Sequence, residues 1–334
     1  NILEAINLWA SGKAFRAERE EELVREGEEV ARIASKIIPI STNITNNTNE
    51  EIGLDAVLTR GMLNGSNVAR KKLSVNGVAR RMYNFVGNLK TVIFGPWDLG
   101  LVTESPSRRR KFLDNVLSQV DREYYRSLLS YEKAVRQRNK LLERIREGEA
   151  QRQQLLFWNQ LLIKNGDYMT RTRTDFIDFV NRTSQLGDEK FSLEYDKSAI
   201  SDARLEQYAD EEVAAATTLV GPHRDDFEFR TQNTEQRTQG GRNLAVYGSR
   251  GEQRMGVLWL KLAELSFIEA RTNTRPVLLL DDILSELDHK HREVVMSVVG
   301  KQQTIMTTAD PHTIEGLPAG RQGLDGSFQI TNIA

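Results

Sequence analysis

The sequence predicts an α/β fold that is interrupted in its middle by a lobe of helices. Short apolar runs bounded by turn signals lie towards both ends of the chain, as the strands of a sheet do. Between them, from Phe112 to about Asp210, the chain is rich in Arg, Glu, Gln and Leu and has hardly a glycine or proline, which is typical of helices. We therefore expect a split domain of residues 1–113 and 214–334 with a helical lobe, residues 114–213, inserted in it.

Composition narrows the class of protein. The 334 residues are 39% hydrophobic, enough to fill a sizeable core, and no apolar run approaches the roughly 20 residues that cross a bilayer. The chain has no cysteine, so disulfides and thiolate metal sites are excluded and a cytoplasmic location is expected. Because 46 basic residues face 47 acidic ones, any contact with nucleic acid must come from local patches.

The outer domain begins with NILEAINLWASGKAF, whose apolar residues fall at helical spacing. Helical character is predicted from residue 1 to about 35. Gly12-Lys13 is interpreted as the stop of the first helix, not as half of a phosphate-binding loop, because no strand or glycine-rich turn precedes it. Strands are then predicted in GLDAVLTRG, KKLSV and LKTVIFGP, with a hairpin turn at Asn76-Gly77.

Two basic clusters are candidates for DNA contacts. Solvated surface charge is the alternative reading for each cluster taken alone, and for Arg109 or Arg110 a further alternative is bonding to neighbouring helices. The candidates are Arg70, Lys71, Lys72, Arg80 and Arg81 in the first cluster and Arg108, Arg109 and Arg110 in the second.

The stretch RPVLLLDDILSELD carries the strongest chemical signal. Val277 to Leu280 has the pattern of a strand buried on both faces of a parallel sheet, and ligands gather at the carboxyl ends of such strands. A carboxylate at Asp281 can hold Mg²⁺, and Asp282 can orient an attacking water. The alternative is that the two residues only start a loop. Ser285 and Asp288 also fit a cap on the helix that follows.

A glycine-containing turn, YGSRGEQR, precedes an apolar-striped helix upstream of that strand. Backbone NH groups at such a helix start, with Ser249 and Gly251, can meet a phosphate, although a plain helix cap explains the turn equally well. The stretch between Ser249 and Asp281 has room for one helix, one turn and one strand. This order and spacing favour the nucleotide interpretation.

These segments together resemble the RecF family within the ABC-type ATPases. GSRGEQR is similar to a signature motif and PVLLLDDILSELD to a Walker B element with its D-loop. VIFGPWDLGLVTESPSRRRKFLD, TLVGPHRDDFEF and QQTIMTTAD follow in the family's order. The resemblance implies an ABC-type ATPase head, a mixed sheet with flanking helices and an inserted α-helical lobe. It also implies ATP and Mg²⁺ as cofactors, an ATP-dependent homodimer, and binding of single-stranded or gapped duplex DNA. RecR- and RecO-type mediators are the implied partners, and aid in loading recombinase is the implied role.

The resemblance also assigns roles by position. Asp281 would bind Mg²⁺ through water and Asp282 would polarise the attacking water. The residues reaching the ATP of a second subunit would be Ser249, Gly251, Glu252, Gln253 and, in the D-loop, Asp288. A non-hydrolysing scaffold and a head of the SMC or Rad50 type remain as alternatives.

Three departures from the family pattern accompany the resemblance. Ala309 stands where transporter relatives have a switch histidine, and Trp97 replaces a family Glu, which leaves the role of its loop open. The Walker A loop is absent, since the family's Gly-x-x-x-x-Gly-Lys-Thr would come just before Asn1. The chain is thus expected to be N-terminally truncated and, as printed, to bind ATP poorly.

Overall fold

The computed structural model describes residues 2–15, 17, 19–38, 50–183, 185–186, 190–232, 241–286, 289–299 and 301–308. It separates into two compact units. One joins both ends of the chain, Asn1–Asp98 with Glu264–Ala334, and the other is the continuous middle, Leu99–Ala263. The predicted cuts after residues 113 and 213 stay a prediction.

The described residues form strands and helices in both units. The strands are β1 (Val30–Ile37), β2 (Ile52–Thr59), β3 (Met62–Leu63), β4 (Ser66–Asn67), β5 (Lys71–Val75), β6 (Val78–Arg80), β7 (Thr91–Phe94), β8 (Lys190–Asp196), β9 (Asp226–Gln232), β10 (Arg242–Asn243), β11 (Val277–Asp281) and β12 (Thr304–Thr307). The α-helices are α1 (Ile2–Ser11), α2 (Met82–Phe85), α3 (Gly100–Thr103), α4 (Pro106–Val120), α5 (Arg122–Arg146), α6 (Leu156–Arg182), α7 (Asp202–Gln207), α8 (Ala209–Ala215), α9 (Leu244–Tyr247), α10 (Arg250–Thr272) and α11 (His289–Val299).

The first unit contains a parallel sheet in the order β12-β11-β7. Its central strand pairs in register with both neighbours, so that Leu279 lies between Ile93 and Ile305. Side chains on both faces of β11 are buried, which is why the strand is continuously apolar. The prediction of a buried parallel strand that ends at the Asp pair is confirmed.

The same unit contains an antiparallel sheet in the order β1-β2-β5-β6. The turn between β5 and β6 places Asn76 at φ 51° and Gly77 at φ 77°, the left-handed pair that a tight hairpin requires. The hairpin predicted at Asn76-Gly77 is therefore confirmed.

Helix α1 packs against both sheets of the first unit. Leu3 contacts Ile93 and Leu279 of the parallel sheet, whereas Leu8 packs in the cluster that includes Leu54 of β2. The helix stops at Gly12, which has φ 70° and donates its NH to the Leu8 carbonyl at 2.9 Å, as a C-terminal glycine does.

Helical character up to residue 35 is wrong. After α1 the described residues form only a short 3-10 turn, Glu20–Leu23, before β1 begins at Val30. All eight residues of β1 pair with β2, and this ladder outweighs the charge-rich local sequence, which by itself favours a helix.

The second unit is built on the long helices α5 and α6, which pack along each other. It also contains an antiparallel sheet in the order β10-β9-β8, and Phe191 of β8 packs against Trp259 of α10. The expectation that the chain is helical from Phe112 to Asp210 is thus wrong for β8. Its alternating apolar residues bury one face of the strand against the core.

Candidate functional site

Asp281 is the last residue of β11 and lies at the carboxyl end of the parallel sheet. It is 8% exposed. Thr307, its partner at the end of β12, donates its hydroxyl hydrogen to Asp281 Oδ1 at 2.6 Å. This hydrogen bond fixes the orientation of the carboxylate. Sequence reasoning missed Thr307, because pairing between β11 and β12 is a tertiary feature.

These residues fit a magnesium site that a nucleotide completes. Mg²⁺ is usually bound by one or two protein carboxylates together with water and phosphate oxygens. Within the described ranges no three His, Cys, Asp or Glu side chains form a cluster that could hold a metal. The single buried carboxylate of Asp281 is compatible with such a site, whose other ligands would come from phosphate and water.

Asp282 is the first residue after β11 and has a left-handed backbone conformation with φ 51°. Its NH donates to the Thr307 carbonyl at 3.0 Å, which holds the bend in place. Asp and Asn tolerate this backbone region better than most residues, and strained backbone clusters at functional sites. The next predicted site residue, Asp288, lies outside the described residues, as does Ala309.

The loop after β7 is organised around Trp97. Its ring lies 5.0 Å from that of Phe15, and both pack in the apolar cluster that contains Leu3 and Ile93. A side chain on Gly95 would come within 2.3 Å of the Trp97 ring. This packing gives the loop a structural role, which the sequence had left open.

The second unit carries the turn Gly248–Gln253, which we call the signature turn. Ser249 Oγ accepts from the Glu252 NH at 3.2 Å, and the Glu252 carboxylate accepts from the Ser249 NH at 2.7 Å. This is a reciprocal capping box at the start of α10. Arg242 donates to the other Glu252 oxygen at 3.2 Å. The helix-cap reading of this turn is therefore correct, and it does not exclude an anion at the same helix end.

Gln253 and Gly251 differ in their surroundings. Gln253 is buried, and its side-chain amide donates to the carbonyls of Leu244 at 3.1 Å and Gly248 at 3.3 Å. These two hydrogen bonds hold the backbone of the signature turn in place. A side chain on Gly251 would meet only Ser249 Oγ, at 3.8 Å. Packing among the described residues therefore does not require a glycine at this position, and the backbone there is open to close approach.

The first basic cluster divides into paired and unpaired cations. Arg70 pairs with Glu21, while Lys71 pairs with Glu20 and donates to the Gly12 carbonyl at 2.8 Å. The other members, which we call the hairpin cations, are exposed and form no ion pair within the described part of the chain. They are Lys72, Arg80 and Arg81.

Arg109 lies inside the second unit instead of on its surface. It is 8% exposed and makes a two-pronged ion pair with Asp226, at 2.6 and 2.9 Å. Its remaining nitrogen donates to the carbonyls of Leu101 and Glu104. With its donors used in this way, Arg109 is a structural residue in this fold, which is the alternative that the sequence had left open.

The residues on either side of Arg109 are less enclosed. Arg108 pairs with Glu104 at 2.7 Å on the surface of α4. Arg110 is half-buried and donates to the Asp225 carbonyl at 2.9 Å, and burial, with Arg173 nearby, lowers its pKa. Of this second cluster, Arg108 and Arg110 are partly exposed and Arg109 is not.

The motif TLVGPHRDD, residues 218–226 of the sequence, contains a fully buried carboxylate, that of Asp225. Asp225 accepts from Arg173 Nη1 at 2.8 Å, from the Tyr195 hydroxyl and from the Ser198 NH at 2.7 Å. Arg173 is itself only 1% exposed. Such a pair destabilises the fold when one partner is lost, because the other charge stays buried. The motif therefore fastens β9 to α6 within the second unit.

His223 of this motif is partly buried between Tyr131 and Thr218. Its Nδ1 lies 2.8 Å from the Tyr131 hydroxyl and its Nε2 lies 3.0 Å from the Thr218 carbonyl. Burial lowers the pKa of His223 to about 4. Gly221 has φ 120°, and a side chain there would overlap the Tyr131 hydroxyl.

No helix in the described part of the chain is long and apolar enough to span a bilayer.

No protein-family model matches the chain. Curated relatives described as "DNA replication and repair protein RecF" match nearly all of it. The one from Herpetosiphon aurantiacus is 36% identical over 92% of this chain and 84% of its own. That from Roseiflexus castenholzii is 34% identical over 92% and 83%. A solved structure of "the recombination mediator protein RecF-ATP in RecFOR pathway" superposes with a TM-score of 0.79 at 29% identity, covering 93% of this chain and 83% of that one.

The fold, with a carboxylate pair closing a parallel strand and a capped turn opening a long helix, places the chain among the ABC-type ATPase heads. The relatives narrow this class. At 36% identity over 92% of its length, the chain belongs to the RecF family of DNA replication and repair proteins.

Proposed function

We propose that this chain acts as an ATP-dependent DNA-binding protein of recombinational repair and replication. Two protomers would close on ATP and Mg²⁺, and slow hydrolysis would release them. Single-stranded or gapped duplex DNA is the proposed substrate, RecR- and RecO-type mediators are the proposed partners, and aid in loading recombinase is the proposed outcome. A cytoplasmic location fits the chain's lack of cysteine.

The observation that carries this proposal is the oriented carboxylate of Asp281. Thr307 holds it at the end of a buried parallel strand, and Asp282 follows in a strained turn. Asp281 would hold Mg²⁺ through water, and Asp282 would accept a hydrogen bond from the attacking water. Mg²⁺ would supply neutralisation of the phosphate charge.

The signature turn would meet the phosphates of ATP bound to the other protomer. Support for this comes from the open space at Gly251 and from the NH groups at the start of α10. Glu252 and Gln253 would hold the backbone of the signature turn in place. The Ser249 hydroxyl would leave its hydrogen bond with the Glu252 NH and donate to a phosphate oxygen. Asp288 of the D-loop would lie beside that site, as in the family pattern.

The experiment replaces Asp282 with Asn in this chain preceded by a Gly-x-x-x-x-Gly-Lys-Thr phosphate loop. Hydrolysis should be lost while ATP still induces dimers, measured by phosphate release and light scattering. Asp178→Asn, the same change at an exposed position of α6, is the matched control and should hydrolyse like the parent. Unchanged turnover in Asp282→Asn would refute the role given to that residue.

A non-hydrolysing scaffold is the second candidate. It is favoured by one observation, that Ser249 and Glu252 hydrogen-bond to each other while Gln253 donates to the carbonyls of Leu244 and Gly248, so all three have partners within the chain. A scaffold would dimerise or bind DNA equally well with and without ATP, and the parent would release no phosphate above the rate of Asp282→Asn.

A further inference from the structure

The outward face of α5 carries a row of cations that lies outside both basic clusters of the sequence. At 100° per residue its members fall within an arc of about 80°. With a rise of 1.5 Å per residue, the row extends over about 27 Å. All are exposed. We call this row the α5 ridge, and its members are Arg126, Lys133, Arg136, Lys140 and Arg144.

Among the described residues, the central cations of the α5 ridge are not ion-paired, although Glu132 and Glu143 lie within one helical turn of them. Arg126 pairs with Glu123 at one end and Arg144 lies 3.7 Å from Glu149 at the other. Between Glu123 and Glu143, every exposed residue of α5 is Arg, Lys or Gln. Within the described ranges of the chain, its three central cations form no ion pair. They are Lys133, Arg136 and Lys140.

The neighbouring helix shows that this bias is not general to the unit. The exposed face of α6 carries both basic and acidic side chains along its length. Charges mixed in this way are typical of a solvated helix face. The exposed charged residues of α6 are Lys164, Asp167, Arg171, Asp175, Asp178 and Arg182.

We propose that the α5 ridge binds the phosphate backbone of duplex DNA. A duplex carries one negative charge per about 1.7 Å of its axis, so a straight row of fixed cations meets many phosphates at once. Single strands are usually held by aromatic side chains that stack on bases. The tyrosines of α5 cannot do this, because Tyr124, Tyr125 and Tyr131 are buried.

The ridge rests on the proposed DNA-binding function and adds a surface to it. α5 is a rigid platform, because its opposite face is packed in the core through Tyr131, Ala134 and Leu142. Its cations need little rearrangement to meet phosphates. The hairpin cations belong to the other unit, so the two surfaces can be tested separately.

The test replaces Lys133, Arg136 and Lys140 with Gln in the chain with a phosphate loop, and ATP and Mg²⁺ are present in every measurement. Binding of a fluorescently labelled duplex, and of one of its single strands, is measured between 50 and 200 mM salt. The matched control, Lys164, Arg171 and Arg182 to Gln on α6, removes the same net charge. A third variant replaces the hairpin cations. Circular dichroism and the urea midpoint verify that each variant folds.

We expect the ridge variant alone to lose affinity for the duplex relative to the α6 control. The slope of log affinity against log salt should fall by about 0.9 for each phosphate contact removed. For three contacts, the loss of affinity relative to the parent would be about 40-fold greater at 50 mM than at 200 mM salt.

Several outcomes would overturn the proposal that the α5 ridge binds duplex DNA. It fails if the ridge variant binds the duplex like the α6 control, as it would if an acidic protein were the true partner. Weakened binding of the single strand alone overturns the choice of duplex. If the parent binds DNA and only the hairpin variant is weakened, the ridge fails while the proposed function stands. A parent that binds no DNA overturns both.

Discussion

At the scale of single residues, Thr307 is predicted to position the carboxylate of Asp281. Its hydroxyl donates a hydrogen bond to Asp281 Oδ1 and so orients the carboxylate. In Thr307→Val the shape is kept and the donor is lost. Loss of such an outer partner typically costs about 10- to 100-fold in metal affinity. In the chain with a phosphate loop, the Mg²⁺ concentration for half-maximal hydrolysis should rise by at least about tenfold.

Thr307→Ser is the matched variant, because it retains the hydroxyl and should need close to the parental Mg²⁺ concentration. A merely structural role for Thr307 would lower stability in Thr307→Val without moving the Mg²⁺ dependence. That result would separate packing from positioning and would remove Thr307 from the site.

His223 gives a pH dependence to the stability of the fold. Burial lowers its pKa from 6.5 to about 4. Between these two pH values, His223 binds a proton in the unfolded chain but stays neutral in the folded chain. Stability that is complete above pH 6.5 is therefore lost as the pH falls towards 4, at up to about 1.4 kcal/mol per pH unit. Urea unfolding from pH 7.5 to 4.5 measures this loss.

His223→Gln is the comparison for that titration. It should have a lower free energy of unfolding at pH 7.5, since its contacts with Tyr131 and Thr218 are imperfectly replaced, but a flatter pH dependence. Parallel curves for parent and variant would show that other groups cause the pH effect.

The start of α10 is an element held by two reciprocal bonds, and its first turn should loosen when either is removed. Ser249→Ala takes away the acceptor for the Glu252 NH. Loss of an N-cap hydroxyl costs about 1 kcal/mol, which corresponds to about fivefold faster amide exchange in the first turn. Ser266→Ala, in the middle of the same helix, is the control and should leave that turn unchanged. Equal exchange in both variants would contradict the cap.

Elements whose signal is local were predictable from the sequence. The Asn76-Gly77 hairpin and the apolar run of β11 each carry their own turn residues or periodicity. β1 and β8 do not. Their partners lie far along the chain, as in the pairing of Val30 with Thr59 and of Lys190 with Gln232, so propensity alone mispredicts them.

The same distinction applies to the candidate site. Asp281 and the signature turn could be predicted from the order of the motifs, because each motif consists of consecutive residues. The contact of Thr307 joins it to Asp281, 26 positions away in the sequence. The buried ion pair of Arg109 joins it to Asp226, 117 positions away. A run of arginines has the same sequence signature whether its members face solvent or an internal carboxylate.

At the scale of the whole molecule, the two halves of the proposed nucleotide site lie in different units of one chain. If they meet only between protomers, a two-fold dimer contains two equivalent sites, each combining Asp282 of one protomer with Ser249 of its partner. If both protomers carry the same substitution, at Asp282 or at Ser249, both nucleotide sites of the dimer are inactivated. If one protomer is substituted at Asp282 and its partner at Ser249, one of the two nucleotide sites stays intact.

This arrangement predicts complementation between two inactive variants of the chain with a phosphate loop. Asp282→Asn removes one half of the site and Ser249→Arg blocks the other, so each alone should release no phosphate. In an equimolar mixture half of the dimers are mixed, and each has one intact site, so about a quarter of parental hydrolysis should return. If both halves instead served the same protomer's nucleotide, the mixture would stay as inactive as its components.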